Sequence, residues 1–369
     1  MSQTESKDTQ ELKIAQANVY TEVTVDLNVI KGRNVVKGYD LNNGVNWSQI
    51  FSNYPCIGLQ ATAVGHSISI VNKMINWKLA SDTVVEHNPE DLEDPSKNRC
   101  KIFLGYTSSC VTSGVRETIR YLCQHKMINV IVTTATGIDE DLMKCLKPHN
   151  LTNFTGIHNS QYNNEATHKQ GNIAIEEKSI NLYENWLIGE ISKMHDEQDR
   201  DGKYWTPSEI CKRLGEAIND KSSILYWCYI NDIPIYSPGL TDGDFGDILY
   251  RYNKKRPGFI VDIAYDIRGM NKEALTAKKT GVIILGGGLI KHHILNANLM
   301  RNGADYAVFI NTGHEFEGSD AGAKPQEALS WGKLKLDCDF VKVYSEASLV
   351  FPLVVSQSFA KFEKQASRL

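Results

Sequence analysis

Residues 101–146 read KIFLGYTSSCVTSGVRETIRYLCQHKMINVIVTTATGIDEDLMKCL. Lys101–Leu104 is a short apolar run ending in Gly-Tyr-Thr-Ser, a strand that stops at small and hydroxyl residues. Ser113–His125 carries apolar residues at helical spacing, with Ser113 as a plausible cap. Asn129–Val132 is β-branched and ends in Thr-Thr-Ala-Thr-Gly, and Ile138–Leu146 is again helical. Strand, helix, strand, helix at this spacing predicts a parallel sheet with crossover helices.

The same rhythm extends outward. Trp47–Leu79 predicts one or two amphipathic helices, with Ile68, Val71, Met74, Ile75 and Leu79 on one face. Ahead of it, residues 1–18 are polar and Val19–Ile30 is more apolar, so 1–46 reads as an N-terminal extension. Glu86–Arg99 is acidic, holds Pro89 and Pro95, and reads as a surface loop. Residues 148–205 are polar and interrupt the rhythm as an insertion, with a helix at Leu182–Met194. Thr206–Ile218 opens with a helix-start signal, Thr-Pro-Ser-Glu. Ile224–Ile235, Phe259–Val261, Val282–Leu285 and Tyr306–Ile310 read as strands, and Asp262–Ala277 and Leu289–Met300 as helices. Ala347–Phe362 is a closing helix broken or started at Pro352. Length allows two or three domains. The pattern favours one α/β domain over 47–369, with three layers and a mostly parallel sheet.

Composition narrows the function. The 369 residues are 41% hydrophobic and carry a net charge of -4, which suits a globular chain rather than a disordered one. No basic excess points to nucleic acid. The apolar runs Gly281–Ile290 and Ala347–Val355 are too short to cross a membrane. The first fifteen residues do not read as a secretory leader, and the eight cysteines form no Cys-x-x-Cys pair. They read as reduced thiols of a cytoplasmic protein, with no metal site.

In parallel sheets, ligands bind beyond the carboxyl ends of the strands. The unusual residues gather there, at Thr107–Thr112, Thr133–Gly137, Gly239–Asp247, Gly286–Gly288 and Asn311–Asp320. Gly286, Gly287 and Gly288 would let backbone approach a nucleotide, or simply make a tight turn. Neither G-x-G-x-x-G nor a phosphate loop ending in Gly-Lys-Ser/Thr occurs. Glu315, Glu317, Asp320 and Glu327 precede Trp331 and Lys333. Acids beside an indole suit a cationic ligand, although the same stretch also reads as a solvated acidic loop. Lys333 could be a nucleophile if burial or a nearby cation kept it neutral. His292 and His293 point about 100° apart on a helix, so at most one should face the site. Asp242, Asp244 and Asp247 could bind a ribose, a polyamine or a metal, or serve as turn residues.

Several segments together resemble the deoxyhypusine synthase family. They are GYDLNNGVNW (38–47), IFLGYTSSCVTSGVRETIRYL (102–122), YWTPSEICKRLG (204–215), GLTDGDFGD (239–247), ILGGGLIKHHILNANLMRNGADYAVFINT (284–312), EFEGSDAGAKPQEALSWGKLK (315–335) and VKVYSEASLVFPLVV (341–355). The resemblance implies a Rossmann-like fold with an N-terminal helical extension, and transfer of the 4-aminobutyl group of spermidine. That group passes through an imine on an enzyme lysine to one lysine of the eukaryotic translation initiation factor 5A precursor, releasing 1,3-diaminopropane. NAD is the implied cofactor, and a homotetramer with sites at subunit interfaces the implied assembly. Lys333 would be the nucleophile, and His292 would assist proton removal or orient the central amine. Asp139, Glu140, Asp247, Gly318, Ser319, Asp320, Glu327 and Trp331 would hold the polyamine. Ser108, Ser109, Cys110, Val111, Thr112, Thr134, Ala135, Thr136, Glu140, Asp242, Gly287, Thr312, Gly313, Glu346 and Ala347 would hold NAD. The chain departs from the family pattern at Ser109 for Asn, Thr136 for Gly, Asp139 for Glu, Ala321 for Ser, Gly313-His314 for Ala-Gln and Glu346 for Asp. Most of these changes lie on the cofactor side. A catalytically weak paralogue serving as regulatory subunit of a hetero-oligomer is therefore a second reading, and an NAD-binding protein with another polyamine or acyl substrate a third.

Overall fold

The computed structural model describes residues 35–79, 98–154 and 167–366. The expectations for 1–18 and 19–30, and most of the 86–99 loop, lie outside those residues.

Three helices come first: α1 (Trp47–Ser52), α2 (Tyr54–Ile57) and α3 (Leu59–Asn76). Then follow β1 (Cys100–Tyr106), a one-turn α4 (Ser109–Thr112), α5 (Val115–Gln124), β2 (Val130–Thr133) and α6 (Ala135–Leu146). The insertion folds into β3 (Asn150–Leu151), β4 (Thr167–Gln170), β5 (Ile173–Glu176) and the long α7 (Glu177–Asp201). The remaining elements are α8 (Pro207–Ile218), α9 (Ile224–Ile230), β6 (Ile235–Tyr236), α10 (Asp244–Lys255), α11 (Ile263–Leu275), β7 (Lys279–Leu285), α12 (Leu289–Leu299), β8 (Ala304–Asn311), α13 (Pro325–Ser330), β9 (Leu334–Tyr344), α14 (Ala347–Gln357) and α15 (Phe359–Ala366).

Six strands pair in the order β6-β2-β1-β7-β8-β9, and every pairing is parallel. Side chains alternate across this sheet. Ile102, Leu104, Ile283, Leu285, Val308 and Ile310 enter one apolar cluster with α3 and the helices α5 to α9. Phe103, Val282, Ile284, Ala307 and Phe309 enter the other, with α11, α12 and α13. The result is three layers. Strand order reverses between β1 and β7, where a crevice opens beyond the strand ends. Tyr106 pairs with Leu285, Leu285 with Ile310, and Tyr106 with Thr133, so these strands end level and their loops share one edge.

Several sequence expectations are corrected. Ile224–Ile230 is helix rather than strand, despite its aromatic and β-branched residues. The Ser223 side chain caps it, accepting from Tyr226 N, and Asp141 accepts from Ile224 N and Leu225 N. Only Ile235–Tyr236 of that run is strand. Phe259–Val261 makes one bridge, Trp205 to Val261, and no strand. Helix α6 begins at Ala135 rather than Ile138, because Thr134 caps it within the Thr-Thr-Ala-Thr-Gly run. Gly114, not Ser113, holds the cap position of α5. Pro352 is tolerated inside α14, and the break falls at Ser358. Helix α7 is longer than the predicted 182–194, and the strands β3, β4, β5 and β9 went unread.

Candidate functional site

The carboxyl-end loops are stitched together by backbone contacts. Gly286 has φ +93, and a Cβ there would lie 2.8 Å from the Thr107 side chain. Only glycine meets both demands. A Cβ on Gly287 would lie 2.3 Å from that of Ala321, so the triple-glycine turn and the 312–323 loop are in direct apposition. Asn311 donates to Gly286 O and accepts from Gly313 N, tying the same two loops.

Three lysines, Lys291 and Lys342 buried and Lys144 half-buried, act as struts beneath these loops. Lys144 donates to the carbonyls of Val111, Thr112 and Ser113, and burial lowers its pKa to about 8. Lys342 donates to Gly313 O and Gly322 O, at 2.8 and 2.7 Å. Lys291, 2% exposed, donates to Asp320 O and Ala323 O. Burial lowers the pKa of Lys291; the carboxylates of Asp320 and Glu327 oppose that, and the charge of Lys333 adds to it.

Lys291 thus marks one group of site residues. Asp320, Glu327 and Lys333 all act on it electrostatically. His292 Nδ1 stands 3.9 Å from Asp320 Oδ1, while His292 Nε2 meets Asn296 at 2.7 Å. Asp320 Oδ2 is buried with no partner among the described residues. Lys333 follows Gly332, whose φ of +69 turns the chain from α13 into β9. The Lys333 carbonyl accepts from Ala304 N at the amino end of β8. Its backbone is therefore not among the carboxyl-end loops; it lies beyond α13, on the α12 face of the sheet. Trp331 is 66% exposed and Phe316 is 91% exposed. Glu327, Gly318 and Ser319 are also exposed, and Gly318 takes a left-handed φ. The imidazole of His293 turns away, toward a cavity of about 290 Å³ that it lines with Ser237 and Asp266.

A second group of acids sits on the other face, around α6 and α10. Asp139 is fully buried, and burial pushes its pKa up to about 8. Tyr183 Oη donates to it at 2.5 Å and Phe245 N at 3.4 Å. Glu140 contacts His149 Nε2 at 2.6 Å. Asp244 is raised by burial and then by Glu140 and Asp247. Gly243 admits this packing, since a Cβ there would lie 2.8 Å from Asp139 Oδ2. Asp247 and Asp242 are exposed beside it. Sequence reasoning missed His149, Tyr183, Lys291, Lys144 and Lys342. Only Lys291 carried a signal, through its place beside His292.

The cofactor-side residues divide by burial. Cys110, Val111, Thr112, Ala135 and Ala347 are buried and shape the turns, while Ser109, Asp242, Thr312 and Glu346 are exposed at them. Ser108, Thr134, Thr136 and Gly313 are half-buried. Thr136 sits in the first turn of α6 without a left-handed φ, so its branched side chain is accommodated where the family pattern has Gly. A cavity of about 430 Å³ opens at the opposite edge, against Lys101, Asn129 and Ile235. Neither group of acids lines it, so chemistry and not volume locates the site. Among the described residues no cluster of three His, Cys, Asp or Glu could hold a metal, and no helix is long and apolar enough to cross a membrane.

Residues 49–358 match the family model described as deoxyhypusine synthase. The chain is 51% identical over 338 residues to the probable deoxyhypusine synthase of Dictyostelium discoideum, covering 92% of this chain and 89% of that one. It is 47% identical over 337 residues to the deoxyhypusine synthase of Senecio vernalis, covering 90% and 91%. A crystal structure of an Entamoeba histolytica deoxyhypusine synthase candidate superposes with a TM-score of 0.67 at 38% identity, over 88% of this chain and 97% of that one.

Proposed function

Because the chain belongs to the deoxyhypusine synthase family, we propose that it transfers the 4-aminobutyl group of spermidine through Lys333 to one lysine of the eukaryotic translation initiation factor 5A precursor. The observation that carries this reading is the setting of Lys333. Half-buried itself, it acts on the buried cation Lys291, and its segment carries Asp320, whose Oδ2 is buried with no partner among the described residues, and the exposed Trp331. A lysine amine in such a place is a nucleophile suited to forming an imine.

The chain's own groups divide the work. Asp320 and Glu327 receive ammonium groups, and the Trp331 indole offers a face to the polycation. His292, half-exposed and turned toward Asp320, takes a proton from the central amine as it is oxidised. The Lys333 amine adds to the resulting imine carbon. The bond from that carbon to the departing nitrogen then breaks, releasing 1,3-diaminopropane and leaving the butylimine on Lys333. The acceptor lysine replaces Lys333 by the same exchange. Bound NAD would supply the hydride acceptor for the oxidation and the hydride donor for the closing reduction. Its fit rests on the glycine turn against Thr107 and on the exposed Ser109, Asp242, Thr312 and Glu346 at the strand ends.

The acids around Asp139 and the group around Lys333 lie on opposite faces of one chain, and Trp331 and Phe316 stand exposed. This supports sites completed between subunits of a homotetramer. Eight free cysteines support a reducing, cytoplasmic setting. The test is to incubate the purified protein with NAD and spermidine and measure 1,3-diaminopropane. Release is expected, and no release with NAD bound refutes the reading.

A further inference from the structure

The insertion after α6 reaches back over the acids. Asn150–Leu151 pairs with Ile173 and Ala174, and both Lys147 Nζ and Asn150 Nδ2 donate to the Glu176 carboxylate. The turn fixed in this way carries His149. Its Nε2 lies 2.6 Å from Glu140 Oε2, with the two side chains 2% and 5% exposed. His149 Nδ1 is also buried and has no partner among the described residues. A bare buried ring nitrogen is costly, so packing alone does not account for an imidazole here. Around the pair stand Asp139 and Lys144 on α6, Asp244 and Asp247 on α10, and Tyr183 on α7, which donates to Asp139. His168 of β4 acts on Asp244. A carboxylate with no fixed donor is free to swing away, and a donor held on one oxygen prevents that.

We propose that His149 is a positioning residue for Glu140. Its Nε2–H holds one carboxylate oxygen in place and leaves the other oxygen to meet a cationic amine of the ligand. The proposal rests on the reading of the site as a spermidine site. It makes the insertion part of the site rather than a bystander, since the loop that departs after α6 returns a donor to α6 itself.

The test is calorimetric titration of spermidine into the protein with NADH bound, so that no hydride can be taken up. His149→Leu is expected to bind spermidine roughly tenfold to a hundredfold more weakly, the range for losing a hydrogen bond to a charged group. His149→Gln keeps an N–H donor at similar reach and should stay within about threefold of the wild type. Adding His149→Leu to Glu140→Gln should cost little beyond Glu140→Gln alone, because both act through one contact. Additive losses overturn the proposal. So does a His149→Leu protein that melts earlier yet binds spermidine as the wild type does. A wild-type protein that binds no spermidine defeats the polyamine reading, and this proposal with it.

Discussion

Asp139 offers a direct check on the electrostatics of the acid group. Two effects oppose each other there: burial favours the neutral acid, and the hydroxyl of Tyr183 at 2.5 Å favours the carboxylate. Burial is the larger, and it pushes the pKa from 3.8 to about 8. The sign follows from linkage. In the unfolded chain Asp139 loses its proton near pH 4, whereas the folded protein keeps it until about pH 8. Its contribution to stability is therefore complete below the unfolded value and is lost as pH rises to the folded one. The largest slope this allows is about 1.4 kcal/mol per pH unit in that window. Asp139→Asn keeps the shape of the protonated acid and cannot titrate. Denaturation of variant and wild type side by side at pH 5, 6, 7 and 8 should show the difference moving in favour of the variant by about 1 kcal/mol per pH unit. Binding should follow the same logic, with little loss of spermidine affinity in Asp139→Asn at pH 7 and a larger loss at pH 9. A stability difference that stays constant across the range would mean that Asp139 is already ionised at pH 5. The Tyr183 hydrogen bond would then outweigh burial, and the reasoning would be refuted.

Trp331→Ala should leave stability within about 0.5 kcal/mol, since the indole is 66% exposed, while raising the KM for spermidine more than that for NAD. Equal rises in both would remove the stacking role. Gly287→Ala drives a Cβ to 2.3 Å from that of Ala321 and should cost about 1–3 kcal/mol, read as a lower melting temperature together with weaker NAD binding. Unchanged melting would show that the two loops are not in contact as described.

Strands β1, β2, β7 and β8 were legible because each is a mostly apolar run buried on both faces, bounded by Gly or hydroxyl residues. Strand β9 was not. Its first half exposes Leu336 and alternates charged with apolar residues, as expected at the edge of a sheet. The segment 224–230 was misread because its composition favours strand, while a cap at Ser223 and backbone N–H groups bonded to Asp141 decide for helix. Those contacts come from residues 82 to 84 positions away, which no local pattern contains. The site divides along the same line. The acids, glycines and Trp331 stand out as residue types, and the resemblance gave them roles. His149, Tyr183, Lys144 and Lys342 look ordinary in the sequence. They acquire meaning only when the fold returns them to Glu140, Asp139 and the two loops.

The central claim is that Lys333 carries the aminobutyl group. Incubation with NAD and spermidine, borohydride reduction and peptide mass mapping should locate one added aminobutyl group on Lys333, and none in Lys333→Ala. An adduct on Lys291 or elsewhere, or one that survives Lys333→Ala, would contradict it.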